Sequence, residues 1–370
     1  MLNFDHDHKS FFSNGDGMTS GEFSRRRFLH SAAAMPLTVA ASAASAVAQD
    51  ASGHAGHGAG GNVVVGEVDN IKNGFDPHKI LTDFDGGSVS LDADGRRLRE
   101  WTITAIDHEF EVAPGVKFAG WSYNGRIPGP TLRCTESDRL RVRFINGSSH
   151  PHSMHFHGIH AARMDGVAGA GTVEPGGEFT YEFAAKPFGC HHYHCHAIPL
   201  KRHIHKGLYG TFIIDPDPDR HPEAREKALS RLLGSPENAR WQELVMVMNA
   251  FDTNFDDENE FYAVNSIPFA YFNTPIKIDK SRPVRIYLIN MTEFDPVNSL
   301  HLHANFFDFY DHGTTLEPTH RTIDTVMLCQ AQRGILEFSF ADHEPGLYMF
   351  HAHQSEFAEL GWMSHFEVVA

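Results

Sequence analysis

The residues able to do chemistry are concentrated in one cysteine and four histidine pairs. The pairs are His155-Phe156-His157, His194-Cys195-His196, His301-Leu302-His303 and His351-Ala352-His353. On a strand, residues i and i+2 share a face, so each pair presents two imidazoles toward one place. Imidazole is a good ligand for copper, iron, nickel or zinc, and four such pairs in a chain of 27 histidines point to metal. Cys195, between two histidines, faces the opposite way, so its thiolate serves one site while its neighbours serve another. His152 precedes the first pair, and His203 and His205 follow the second. A His2Cys set with a weak or absent axial ligand is the blue-copper arrangement. From Cys195 the backbone offers a short covalent path to His194 and His196.

The elements that must position these groups read as strands. Runs at 139–145, 179–184, 244–249, 284–290 and 335–340 alternate or are rich in branched and aromatic residues. Turns such as Pro128-Gly129-Pro130 and Glu174-Pro175-Gly176-Gly177 separate them. The pattern repeats. Arg141-Val142-Arg143-Phe144-Ile145-Asn146 resembles Arg285-Ile286-Tyr287-Leu288-Ile289-Asn290, and the histidine pairs recur in the same order. The fold class expected is all-β, with two β-sandwiches in tandem. The domains expected are a signal peptide at 1–48, a flexible segment at 49–98, a first sandwich at 99–217, a linker with a short helix at 218–240, and a second sandwich at 241–370.

The four pairs and the His194-Cys195-His196…His203…Gly207-Leu208 run resemble multicopper oxidases, specifically the two-domain kind with the blue copper in the first domain. The resemblance covers roughly residues 100–370. It implies Greek-key cupredoxin-like domains and a blue (type 1) copper on His152, Cys195 and His203, with Leu208 at the axial position. His203 is preferred to His205 because its spacing to Leu208 fits the family. The resemblance assigns His155 and His301 to a type 2 copper. It assigns His157, His194, His196, His303, His351 and His353 to a coupled type 3 pair, about four coppers per chain in all. It also implies a homotrimer with this cluster between subunits. The second half lacks the blue site: Ala352 stands in place of the cysteine and Asn298 in place of His152.

The activity implied is that of a laccase-like oxidase. A phenolic or similar donor, or a small redox protein, docks near the exposed edge of His203 and gives single electrons to the Cys195 copper, and dioxygen is reduced to water at the cluster. Asp165, in an Asp-Gly that the family places near the cluster, is a candidate proton relay or simply a turn residue. Glu356 and Asp324 are weaker candidates of the same kind. A copper nitrite reductase is the rival enzyme, echoed by Tyr193-His194-Cys195 and Glu359-Leu360-Gly361. A non-catalytic copper-binding or electron-transfer protein is the rival of another class. His160, His191, His192 and His205 are read as supporting or solvated histidines.

Composition sets the bounds. A net charge of −16 argues against nucleic-acid binding and supplies no basic patch for a membrane. Ser24-Arg25-Arg26-Arg27-Phe28-Leu29, the alanine-rich stretch after it and Ala46-Val47-Ala48 look like a twin-arginine export signal with its cleavage site. The location expected is periplasmic or secreted, with no membrane span. His54 and His57 fall in a Gly- and Ala-rich tail. Cys134, Cys190 and Cys329 remain as free thiols or disulfide partners, with Cys134–Cys190 one possible pair.

Overall fold

The computed structural model describes residues 67–370. The export motif at 24–29, the cleavage site at 46–48 and His54 and His57 lie outside the described residues. No helix among the described residues is long and apolar enough to cross a membrane.

Strands dominate, and their burial follows the sequence pattern. In Arg139–Asn146 buried and less buried positions alternate, and the same holds in Met363–Val369, so each shows one face to a core. By contrast Tyr209–Asp215 and Val284–Asn290 are buried at every position, as their near-continuous apolar runs require of strands covered on both faces.

The first half holds two sheets. One runs Phe84–Asp85, Gly129–Thr135, Tyr209–Asp215, Gly189–His194, His155–Phe156. The other runs Ser88–Leu91, Arg97–Ala113, Arg139–Asn146, Glu178–Ala184, with Val116–Tyr123 added to Arg97–Ala113. The second half repeats the arrangement. Ile276–Asp279, Met363–Val369, Gly346–His351, Val297–Leu302 and Thr325–Cys329 form one sheet. Gln242–Phe251, Val284–Asn290 and Arg333–Phe338 are central to the other. Neighbours are mostly non-consecutive in sequence, as in Greek-key sandwiches. Each half has its own apolar core, the first around Phe144, Tyr181 and Tyr193 and the second around Leu288, Phe350 and Trp362.

A third core joins the halves. Cys190, Tyr209 and Ile213 pack with Val245, Tyr287, Ile289 and Ile335, which is why those strands are buried on both faces. Beside it lies a buried ionic seam. Arg133 donates to Asp215 at 3.0 Å and to Glu243 at 2.7 Å, while Arg285 donates to Glu243 at 3.0 Å and to Glu337 at 2.7 Å. Arg231, from the helix Arg225–Arg231 in the connecting segment, adds its carbonyl to Arg133 at 2.7 Å and its guanidinium near Glu337. Three cations thus face three carboxylates. Burial raises the Glu243 carboxyl, but Arg133 and Arg285 outweigh it and hold Glu243 down at about 2. Losing one partner of such a set leaves a buried charge uncompensated, typically at a cost of about 3–5 kcal/mol.

The N-terminal segment differs from expectation. From residue 67 onward, the stretch expected to be flexible over 49–98 is folded. Asp69 caps the helix Asn70–Asn73, Phe84–Asp85 and Ser88–Leu91 join sheets, and Asn73, Phe75, Pro77, Ile80 and Leu81 are buried. Buried residues scattered through a polar stretch with no regular spacing give no signal for periodicity to detect.

Candidate metal centres

The strand Gly189–His194 and the residues after it organise the first half. His194 pairs with Tyr209 on one side and His155 on the other. Alternation then sends Cys195 into the core of the first sandwich, among Met154, Phe156 and Leu208. Three donors meet there. The Cys195 sulfur lies 3.2 Å from His203 Nδ1 and 3.8 Å from His152 Nδ1, and those two nitrogens are 3.1 Å apart. Ligands about 2.0–2.3 Å from one ion span edges of this size. Ser148 holds His152 by its far nitrogen, Nε2, at 2.9 Å, and Ser153 N–H donates to the Cys195 sulfur at 3.4 Å. Leu208, fully buried, follows in chain: its N–H donates to the His203 carbonyl and its carbonyl accepts from Cys195 N–H.

The eight remaining histidines form two matching sets of four. In the first, His155 Nδ1 lies 2.7 Å from the Asp165 carbonyl and His194 Nδ1 2.9 Å from the Cys195 carbonyl. In the second, His301 Nδ1 lies 3.0 Å from the Asp324 carbonyl and His351 Nδ1 2.5 Å from the Ala352 carbonyl. A carbonyl accepts only, so each of these Nδ1 atoms carries the proton and each Nε2 keeps its lone pair. Two of these Nε2 atoms meet a further histidine: His157 and His194 Nε2 are 3.2 Å apart, and His303 and His351 Nε2 are 2.9 Å apart. His196 and His353 complete the sets, their rings 5.2 Å from those of His155 and His301. Among the described residues the two sets are separate groups.

The electrostatics suit a soft divalent or monovalent cation. Burial, reinforced by neighbouring imidazoles, depresses His152 to about 3, His157 to about 2 and His203 to about 4. Burial likewise leaves His194 at about 4 and lowers His155, His303 and His351. These seven imidazoles are therefore neutral near pH 7, the form that binds metal. Burial pushes the Cys195 thiol up to about 11, so its proton leaves only when a cation takes its place. Thiolate plus imidazole selects copper or zinc over the hard cations, and the donor sets fit copper in all three places.

Other expected residues fall as follows. His205 does not reach Cys195. Its Nε2 accepts from Asp252 N–H at 3.3 Å, and its ring packs against Phe118 and Phe294. Asp165 lies behind His155, its carboxylate 3.2 Å from Nδ1, on the side away from the free lone pair. Its turn is also structurally required: Gly166 has φ +77°, and a Cβ there would sit 2.4 Å from the Met154 carbonyl. The four cysteines are free thiols; Cys134 and Cys190 lie in different apolar cores, on opposite sides of their sheet.

One expectation is corrected. His203 has no exposed edge; it is 2% exposed, and Trp121 covers it. Trp121, Ser148 and Ser153 were not singled out from the sequence, because nothing in their spacing marks contact with His152 and Cys195. His192 is a further surprise. It is buried, its ring stacks on His157 at 3.7 Å, and neither ring nitrogen has a hydrogen-bond partner among the described residues.

Comparison with known proteins agrees with the geometry. Two family models described as multicopper oxidase match residues 106–219 and 241–370. A solved structure titled "Crystal structure of multicopper oxidase" is 52% identical, with a TM-score of 0.74, over 82% of this chain and 100% of that one. A copper nitrite reductase from Nitrosomonas europaea shares the fold at 23% identity and TM-score 0.61, over 74% of this chain and 94% of the other. Local sequence matches include a copper-containing nitrite reductase of Neisseria meningitidis, 32% identical over 31% of this chain and 30% of the relative. A putative laccase-18 of Oryza sativa subsp. indica is 35% identical over 36% of this chain and 23% of its own length. These curated relatives are thus matched over less than a third of their length.

Proposed function

The chain belongs to the multicopper oxidase family, and from that premise we propose that it is a laccase-like oxidase. It takes single electrons from phenolic or similar donors, or from a small redox protein, and passes them to dioxygen. The observation that carries this reading is the doubled set of four histidines, each set with two Nδ1 atoms against backbone carbonyls and one close pair of Nε2 atoms. When bound, copper supplies one-electron storage at Cys195 and four-electron reduction of dioxygen between the histidine sets.

The chain's own residues set the conditions for that chemistry. Cys195 and the backbone to His194 and His196 form the link between the two kinds of site. The apolar core around Leu208 excludes water from the thiolate. In this reading Asp165, half exposed and behind His155, is the carboxylate that would take up protons from solvent. The separation of the two histidine sets within one chain supports a homotrimer in which each cluster draws one set from each of two subunits. Exposed Ile159, Phe306, Met327 and Leu347 lie on or next to the segments bearing the histidines and would be covered by such contacts. The twin-arginine motif supports export of the folded protein to the periplasm or beyond.

Copper nitrite reductase remains the second reading, favoured by the relatives of that name. It needs one catalytic copper held by three histidines and leaves most of the eight unexplained. Counting copper per chain in purified, fully metallated protein separates the readings. About four, with dioxygen uptake on a generic phenol, supports the oxidase. About two moves the assignment to nitrite reduction, and one or none to a binding role.

A further inference from the structure

We propose that electrons enter the Cys195 centre through the indole of Trp121, from a donor seated outside it against His150. The proposal rests on the reading of Cys195 as a blue-copper ligand. Its starting point is burial. His152 and Cys195 are 0% exposed and His203 is 2% exposed, so no ligand edge is open to a donor. Trp121 lies over both imidazoles, with its ring 4.9 Å from His152 and 4.8 Å from His203. On its outer side stands the exposed ring of His150, at 4.8 Å. A continuous chain of π systems thus runs from solvent to both imidazoles that accompany the thiolate.

Trp121 is also held in register with the site. Its backbone N–H donates to the Lys206 carbonyl at 2.7 Å, just beyond the helix Leu200–His205 that carries His203. The Lys206 ammonium sits 5.1 Å over the indole and 4.9 Å over Phe255. The outer face therefore combines the exposed His150 imidazole and the partly buried Lys206 cation, with the indole directly beneath them at 7% exposure. Such a face suits an electron-rich aromatic ring carrying a hydroxyl.

The competing entry is the small cleft of Lys201, Arg202, His205, Phe255 and Phe294. His205 is its inner wall, and that ring contacts Phe118, Phe255 and Phe294, not His152 or His203. From His205 an electron has only the helix backbone to His203, and from Phe255 the side-chain route passes Lys206 and leads to Trp121 again.

The donor loses one electron and releases its hydroxyl proton to water, the oxidised copper is reduced by one electron, and Trp121 ends as it began. No bond in the protein forms or breaks.

The test uses full-length, copper-loaded protein mixed anaerobically with hydroquinone, following the loss of blue absorption. Trp121→Leu is expected to slow bleaching by about tenfold or more, with Trp121→Phe in between, while band position and reduction potential match the parent. Parental bleaching in Trp121→Leu with an intact band overturns the proposal. Should Trp121→Leu lose the band, Trp121→Phe decides: slower bleaching with an intact band supports the path, and the parental rate overturns it. A parent protein with no blue band would instead overturn the copper assignment of Cys195.

Discussion

Around Cys195 and around Ala352 the backbone makes the same hydrogen bonds to different ends. Cys195 N–H donates to Leu208 and Ala352 N–H to Trp362; Leu208 N–H donates to His203 and Trp362 N–H to Phe357. His196 N–H donates to Ser153 Oγ and His353 N–H to Ser299 Oγ. The far nitrogen of His152 faces Ser148, and Asn298 donates to Thr292. These pairs fix the correspondence: His152 with Asn298, Cys195 with Ala352, His203 with Phe357, Leu208 with Trp362. Trp121 has a partner too. Tyr262 N–H donates to Leu360 as Trp121 N–H does to Lys206, and the Tyr262 ring stacks on Phe357 at 3.9 Å. One architecture thus encloses either three metal donors or a hydrocarbon plug, while the flanking histidines are retained in both halves. The thiolate site is separable from the histidine sets, and in the second half the corresponding volume is filled by Phe357 and Trp362.

The largest effect that would test this separation is Cys195→Ser. The blue absorption and oxidase turnover should fall to background while copper stays on the histidine sets, read by absorption and copper count. Parallel loss of the histidine-bound copper would break the separation, because it would tie those sets to the thiolate.

Next in size is the plug. Trp362 is fully buried, packs on Phe350 and donates from Nε1 to the Ser299 carbonyl at 3.1 Å. Trp362→Ala should cost about 3–5 kcal/mol in denaturant unfolding, from lost burial and the cavity left behind. The blue band of the first half should not change. A cost under about 1 kcal/mol would mean that Trp362 is not what fills the second site.

The sequence carried the ligands more clearly than their surroundings. The period of two expected on strands puts His155 with His157 and turns Cys195 from His194; the side chains group in that way, although the strands His155–Phe156 and Gly189–His194 end before His157 and Cys195. The resemblance selected His203 over His205, and the geometry brings His203 to the sulfur. What stayed hidden depends on contacts between distant segments. Trp121 reaches His203 across 82 residues, and the seam of Arg133 with Glu243 spans 110. Neither has a periodicity or motif of its own. Phe357 and Trp362 were hidden differently. The second half was recognisable as lacking ligands, but an apolar residue in a gap of variable length does not announce which ligand it replaces. The folded segment after residue 67 was missed because five scattered buried residues anchor it, Asn73, Phe75, Pro77, Ile80 and Leu81, with no regular spacing.

The smallest effect concerns Leu208, whose counterpart is the plug itself. In the second half this position fills volume; in the first it also bounds the thiolate site with a side chain that cannot coordinate. Leu208→Met is nearly volume-conserving, so unfolding should shift by less than about 1.5 kcal/mol. Yet the thioether brings a weak axial donor to the His2Cys set, and such a donor stabilises the oxidised ion and lowers its potential. A redox titration of the blue band should therefore move downward while stability barely changes. The same exchange at Trp362 should do the reverse, altering stability and leaving the potential where it was. If Leu208→Met shifts stability but not potential, Leu208 is a plug like Trp362, and the contrast between the halves reduces to Cys195 and its two imidazoles.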